Sequence, residues 1–100
     1  MDAFAIEYED SQEKKKSLFY PDFIIQGKKY IYLIDTKGGI TAKTIETKDK
    51  NEALQKWIRE HEDLDLKGGI AIFKNSKWLL NQKEKYVYEN DEDWEELRIE

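Results

Sequence analysis

Three side chains within the stretch FYPDFIIQGKKYIYLIDTKGG, Phe19 to Gly39, have the types and spacing to do chemistry. Asp22 stands at the mouth of one apolar run, and Asp35 and Lys37 close the next. Charges beside strongly apolar strands are costly unless paired, hydrated or bound to a metal. Two carboxylates and a main-chain carbonyl are the oxygen donors that Mg2+ accepts, with water filling its remaining positions. A metal so held polarises a phosphoryl oxygen and acidifies a bound water. A neighbouring ammonium can orient that water or offset charge building on phosphorus. Phosphodiester cleavage is the reaction these groups suit. In that reading Asp22 and Asp35 hold the metal, the Thr36 main-chain carbonyl assists, and Lys37 serves the water or the scissile phosphate.

A hairpin must bring these groups together. Gly27-Lys28 suits a two-residue type II′ turn, because glycine supplies the positive φ of its first position. With that turn Asp22 lies opposite Leu33, and Asp35 sits two residues further along the same face. Diagonal neighbours of this kind are about 7–8 Å apart, close enough for two inward-leaning carboxylates to share a hydrated cation. Lys37 falls on that face again. Leu33, Ile31 and Ile24 continue it and are expected to pack on a helix. A four-residue loop preserves this parity, whereas a three-residue loop reverses it.

The remaining chain supplies the support. Ala3 to Glu9 alternates as a strand with Phe4, Ile6 and Tyr8 on one face, and Asp10 to Ser17 reads as a polar loop. Residues 38–47 look irregular, with a short extended piece around Thr41 to Ile45. A helix follows, with Asp49 and Glu52 as a capping box or Thr47 as the cap. Leu54, Trp57, Ile58 and His61 form its apolar stripe, widened by Ala53. Gly68 to Asn75 and Lys77 to Gln82 form a second hairpin around Asn75-Ser76. Lys85 to Glu89 reads as a last strand, and the tail from Asp91 as a short helix or a frayed end. The expected class is α+β, mostly antiparallel mixed sheet with one principal helix. The tetrapeptide KGGI occurs at Lys37 and again at Lys67, too little for a structural repeat.

Composition bounds the partners. The chain has 100 residues, no cysteine and a net charge of −5. One domain core is expected over 1–88 with an acidic tail over 89–100, and disulfides and thiolate metal sites are excluded. The last twelve residues carry a net of −6 and the other 88 a net of +1. A nearly neutral body does not resemble a free-standing DNA binder, which needs a basic face. No apolar run approaches the roughly 18 residues of a membrane span, and the start lacks a basic secretory n-region, so a cytoplasmic protein without membrane partners is expected.

The motif "PD", twelve residues, then "DTK" resembles the PD-(D/E)XK nuclease pattern, with Asp in the second acidic position. The longer string FYPDFII…KYIYLIDTKG followed by K…NEALQKW, then GGIAIF…KW, resembles the C-terminal endonuclease domain of type III restriction subunits over roughly Ile6 to Trp78. That resemblance implies a restriction-endonuclease-like core and puts Asp22, Asp35 and Lys37 in the catalytic positions. It also implies Mg2+ as cofactor, double-stranded DNA as substrate, a helicase-like motor domain in the same subunit, and a DNA-methylating modification subunit. ATP belongs only to the motor, since this chain has no Walker-type phosphate loop. The family core opens with a helix before the first strand. This chain begins at the strand, so its N-terminal core helix is absent and the fragment is expected to be inactive alone. The alternative is a catalytically inactive module of the same fold that positions DNA or binds protein.

Other residues carry weaker signals. Trp57 on the apolar stripe reads as core, while Trp78 has both a core reading and a base-stacking one. His61 reads as a half-buried polar tip. Lys14, Lys15 and Lys16 read as solvated. Lys50 is the best extra phosphate contact, ahead of Lys43 and Lys48. Asp65-Leu66-Lys67 repeats the D-x-K spacing without a second acid and reads as a loop.

Overall fold

Alternation along the first segment turns Ile6 and Tyr8 inward and Glu7 outward, giving strand β1, Ile6–Asp10. The computed structural model describes residues 4–100, so Ala3, the expected first residue of this strand, lies outside the described residues. The segment expected as a polar loop instead folds back as β2, Lys15–Phe19, antiparallel to β1 with Ile6 opposite Phe19. Its turn is held by the Asp10 carboxylate, which accepts from the Gln12 and Glu13 amides at 2.9 and 3.0 Å, and by a left-handed Lys14 at φ 55°.

Strands β3, Phe23–Gln26, and β4, Ile31–Thr36, form the expected hairpin with a different turn. Gln26 pairs with Ile31, so Gly27 to Tyr30 make a four-residue loop in place of a Gly27-Lys28 turn. The Gly27 amide donates to the Tyr30 carbonyl at 2.8 Å, and the Lys28 amide donates to the Glu100 carbonyl at 2.6 Å. Tyr30 meets the Tyr32 ring edge-on and lies under the Lys67 ammonium, which a tighter turn would forbid. The register moves by two residues, and a period of two leaves every side chain on its expected face.

Residues 39–47 hold helix rather than an extended piece. A single turn, α1 (Gly39–Ala42), leads into α2, Ile45–Glu60, whose cap is Thr44. The Thr44 hydroxyl oxygen accepts from the Thr47 amide at 3.2 Å, the usual N-cap bond. Asp49 and Glu52 form no capping box. Asp49 accepts from the Ser11 amide and hydroxyl at 2.9 and 2.8 Å, and Glu52 accepts from the Tyr86 amide at 3.0 Å. Both acids tie distant segments to the helix.

From α2 the chain returns as β5, Leu66–Lys74, parallel to β4, and β6, Lys77–Asn81, closes the second expected hairpin. Asn75 and Ser76 both have positive φ, 54° and 62°, as a type I′ turn requires. Lys85 to Glu89 is not a strand. It crosses the helix side of the sheet, anchored by a 2.6 Å bond from the Tyr86 hydroxyl to the Ala42 carbonyl. The tail is not an α-helix either. A short 3-10 turn over Asp91–Asp93 leads into β7, Trp94–Glu96, which pairs with β6.

The fold is therefore α+β: a mixed five-stranded sheet in the order β3-β4-β5-β6-β7, one main helix, and the two-stranded β1-β2 sheet. Ile6, Tyr8, Phe19, Leu33 and Leu54 form the core between hairpin, helix and sheet. Tyr32, Ile34, Ala71 and Leu80 cluster on the opposite face, where no helix lies among the described residues. Ile24 shares the face of Leu33 but remains exposed at the sheet edge.

The inward face of α2 starts polar. Thr47, Asn51, Leu54 and Gln55 are buried, and Gln55 donates to the Gly68 carbonyl at 2.9 Å while Asn51 accepts from the Ile70 amide at 3.3 Å. The strand pairing at Gly68 and Gly69 needs glycine. A Cβ at Gly68 would overlap the Leu33 carbonyl and one at Gly69 the Asn81 carbonyl, whereas Gly38 and Gly39 have open space. Only the second KGGI copy is a packing device.

Candidate functional site

The site forms where β3 begins and β4 ends. Continuing the strand register one step past the Phe23–Ile34 pair sets Asp22 directly opposite Asp35, closer than the diagonal expected from sequence. Asp35 is only 3% exposed, whereas Asp22 is exposed at the sheet edge. The Lys37 ammonium lies 2.9 Å from Asp35 Oδ2. Asp22, Asp35 and Lys37 thus converge at one end of an otherwise apolar face.

Thr36 fixes the wet carboxylate. Its amide and hydroxyl both donate to Asp22 Oδ2, at 2.9 and 2.7 Å. In an extended strand the N–H and C=O of one residue point to the same edge, so the Thr36 carbonyl faces the Asp22 side as well. Sequence reasoning used only the carbonyl and missed the hydroxyl; the signal was a hydroxyl residue directly after Asp35.

The environments push the two acids apart. Burial raises the Asp22 carboxyl somewhat, but the Thr36 hydroxyl and amide, the Lys37 charge and the Asp35 carboxyl outweigh it and leave Asp22 more acidic than an ordinary aspartate. Burial dominates at Asp35 and makes it less acidic, with the Asp22 charge adding to the effect. Lys37, by contact and charge, and Lys50, by charge, oppose it without cancelling it. A pair of acids with opposite shifts is the pattern by which one fold supplies two protonation states at one pH.

Asp35 Oδ2 has no donor in hydrogen-bond geometry; its contact with Lys37 is an ion pair only. The Lys37 ammonium offsets part of the cost of burying that oxygen, and a divalent cation would add to that offset. Among the described residues no group of three or more His, Cys, Asp or Glu side chains is placed to hold a metal ion. Two carboxylates and a carbonyl are a small donor set, which suits Mg2+ because that ion keeps several waters and binds through one or two carboxylates.

After Lys37, Lys50 is the lysine whose charge acts on Asp35. It projects from the second turn of α2 with Nζ 2.9 Å from Glu46 and over the Tyr8 ring at 5.8 Å. Burial lowers its pKa, but Glu46, Tyr8 and Asp35 raise it further, so it stays charged beside the acid pair. Lys48 pairs with Glu52 and Lys43 lies over Tyr88. Lys15 and Lys16 pair with Glu13 and Glu7. Glu7 points outward, away from the core that Tyr8 enters. His61 stacks on Trp57 at 3.9 Å and its Nδ1 lies 2.8 Å from the Trp57 carbonyl, a structural role. Asp65 is a left-handed loop residue, but Leu66 and Lys67 already belong to β5, so only the first residue of the second D-x-K is loop.

No helix of the described residues is long and apolar enough to cross a membrane. Comparison with protein-family models, with curated proteins and with solved structures finds no match to this chain.

Proposed function

We propose that this chain is a PD-(D/E)XK-like nuclease domain that cleaves DNA phosphodiesters with Mg2+, as the cutting part of a type III restriction subunit in the cytoplasm. The observation that carries the reading is the buried Asp35 carboxylate, opposite Asp22 and 2.9 Å from the Lys37 ammonium. Asp22, Asp35 and the Thr36 carbonyl would hold the cation, which supplies charge to a phosphoryl oxygen and acidifies water. Thr36 keeps Asp22 ionised and aimed. Lys37, held against Asp35, presents an ammonium that orients water or offsets charge on the phosphate. Lys50 can exchange Glu46 for a phosphate oxygen. The neutral body fits a domain whose DNA is held by a motor and a modification subunit.

The test is cleavage by the complete parent complex bearing Asp22→Ala, Asp35→Ala or Lys37→Ala. Each is expected to lower the cutting rate by at least about 100-fold, the loss typical of one transition-state charge contact, with DNA binding and ATP hydrolysis kept. Unchanged cutting in all three would remove the catalytic assignment.

A further inference from the structure

We infer that strand β3 pairs edge to edge with β3 of a second copy of the chain, an inference independent of the nuclease reading. Sheet edges are usually guarded by charge, because their unpaired N–H and C=O groups otherwise recruit another strand. The edge strands β1, β2 and β7 follow that rule, since IEYED, KKSLF and WEE each carry charged side chains. β3 is also an edge, yet it reads FIIQ and carries none. Its Phe23 and Ile24 are 52% and 54% exposed, one on each face of the sheet.

The outer side of β3 offers a free backbone. On β4 the Ile31 and Lys37 amides donate to the Asp65 and Ala71 carbonyls, toward β5, while the Thr36 amide donates to Asp22. Backbone groups alternate in direction along a strand, so Tyr32 and Ile34 turn theirs toward β3. There they meet their partners Ile25 and Phe23. Ile24 and Gln26 therefore point N–H and C=O away from the sheet, and no backbone partner meets them among the described residues.

These groups select a register for a second copy. Residues opposite each other must share a face, so an antiparallel β3 pairs only through residues of like parity. Two registers centre the four-residue strand. One sets Ile25 opposite itself and calls on the Lys28 amide to bond the other copy's Asp22, but that amide already donates to Glu100. The other sets Ile24 opposite itself, Phe23 opposite Ile25 and Asp22 opposite Gln26, and uses only free groups.

Charge favours the same occupant. Asp22 precedes β3 and Lys28-Lys29 follow it, all three exposed. Neither lysine makes an ion pair with a carboxylate among the described residues. Glu100 reaches Lys28 through its backbone carbonyl. An antiparallel copy brings the lysines of each chain to the acid of the other, a complementarity built into one sequence. The two-fold axis stands normal to the sheet and leaves each face on its own side. Ile24 then packs on its copy on the face toward α2, and Phe23 packs on Ile25 on the other. Both acid pairs open on one face of the joined sheet, with the two Asp22 residues about 13 Å apart along the strands.

Sedimentation of the 100-residue chain, which has no cysteine, tests the pairing. The wild type is expected to dimerise with a Kd below about 1 mM. Ile24→Lys sets two ammonium groups against each other and should be monomeric at the same concentration, with a native circular dichroism spectrum because Ile24 is already half exposed. Ile24→Val should dimerise as the wild type does. Lys28→Glu with Lys29→Glu should weaken the dimer about 2- to 30-fold at low salt, the range for two cross-strand charge pairs, and less at high salt. Under mild oxidation Ile24→Cys should close a disulfide between copies, since a hydrogen-bonded pair holds its Cα atoms about 5.5 Å apart. Gln26→Cys, about 13 Å from its copy along the strands, should not. The disulfide is a gain, so it decides the matter even where Ile24→Lys fails to fold. A monomeric wild type, a dimer indifferent to Ile24→Lys, or faster cross-linking of Gln26→Cys than of Ile24→Cys would overturn the pairing. No readout here involves cutting, so this assignment and the nuclease reading fall separately.

Discussion

Replacing Lys37 by methionine isolates the energetics of the buried acid. Asp35 and Lys37 are 4% and 18% exposed as side chains, and removing one partner of a buried pair costs about 3–5 kcal/mol when the other remains charged. Asp35 has an escape, because its folded-state pKa is already raised by burial. A raised carboxyl favours folding most at low pH, below its unfolded value, and that contribution disappears as pH climbs through the folded value. Without Lys37 the folded value rises further. The variant should therefore match the wild type at pH low enough for Asp35 to be protonated in both, and lose about 1.4 kcal/mol of relative stability for each pH unit between the two folded values. The loss levels off at roughly 3–5 kcal/mol, a melting-temperature drop of at least about 12 °C for a domain of this size. Thermal melts from pH 4 to 8 measure the divergence, and Asp35→Asn added to Lys37→Met should erase it. A deficit equal at pH 5 and pH 8, or one that survives in the double variant, would refute the reasoning.

Two smaller outcomes follow from the same geometry. Thr36→Val deletes the hydroxyl bond to the exposed Asp22 and should cost about 0.5–1.5 kcal/mol at pH 7. Since Asp22 is shifted downward, that deficit exists above its unfolded pKa and vanishes as pH falls through the folded one, which paired melts at pH 7 and pH 3 will show. Gly69→Ala should prevent stable folding through overlap with the Asn81 carbonyl, while Gly39→Ala, in open space at the start of α1, should melt within about 0.5 kcal/mol of wild type. Circular dichroism separates the two.

The face shared by Asp22, Asp35 and Lys37 was legible because strand side chains alternate. A misjudged loop of two residues rather than four could not move them to the other side. Turn length itself was hidden, since Lys28 and Tyr30 find their partners in Glu100 and Lys67, far away in the chain. The start of α2 escaped notice because its buried residues there are Thr47 and Asn51, polar groups that give no apolar period. β2 and β7 are edge strands rich in lysine or glutamate, a composition that protects sheet edges and disguises them as loop or tail. Trp57 and His61 read correctly from the helical stripe. The burial of Asp35, by contrast, depends on β5 pairing beside β4 from some thirty residues further on, which no local window contains.

The bond between the Lys28 amide and the Glu100 carbonyl makes Glu100 a stay for the loop joining β3 to β4. Removing Glu100 and the residues just before it, or pulling on them, would slacken the connection that keeps the two acids in step. Glu100 is in this way a handle on the acid pair, reached along the sheet rather than through solvent.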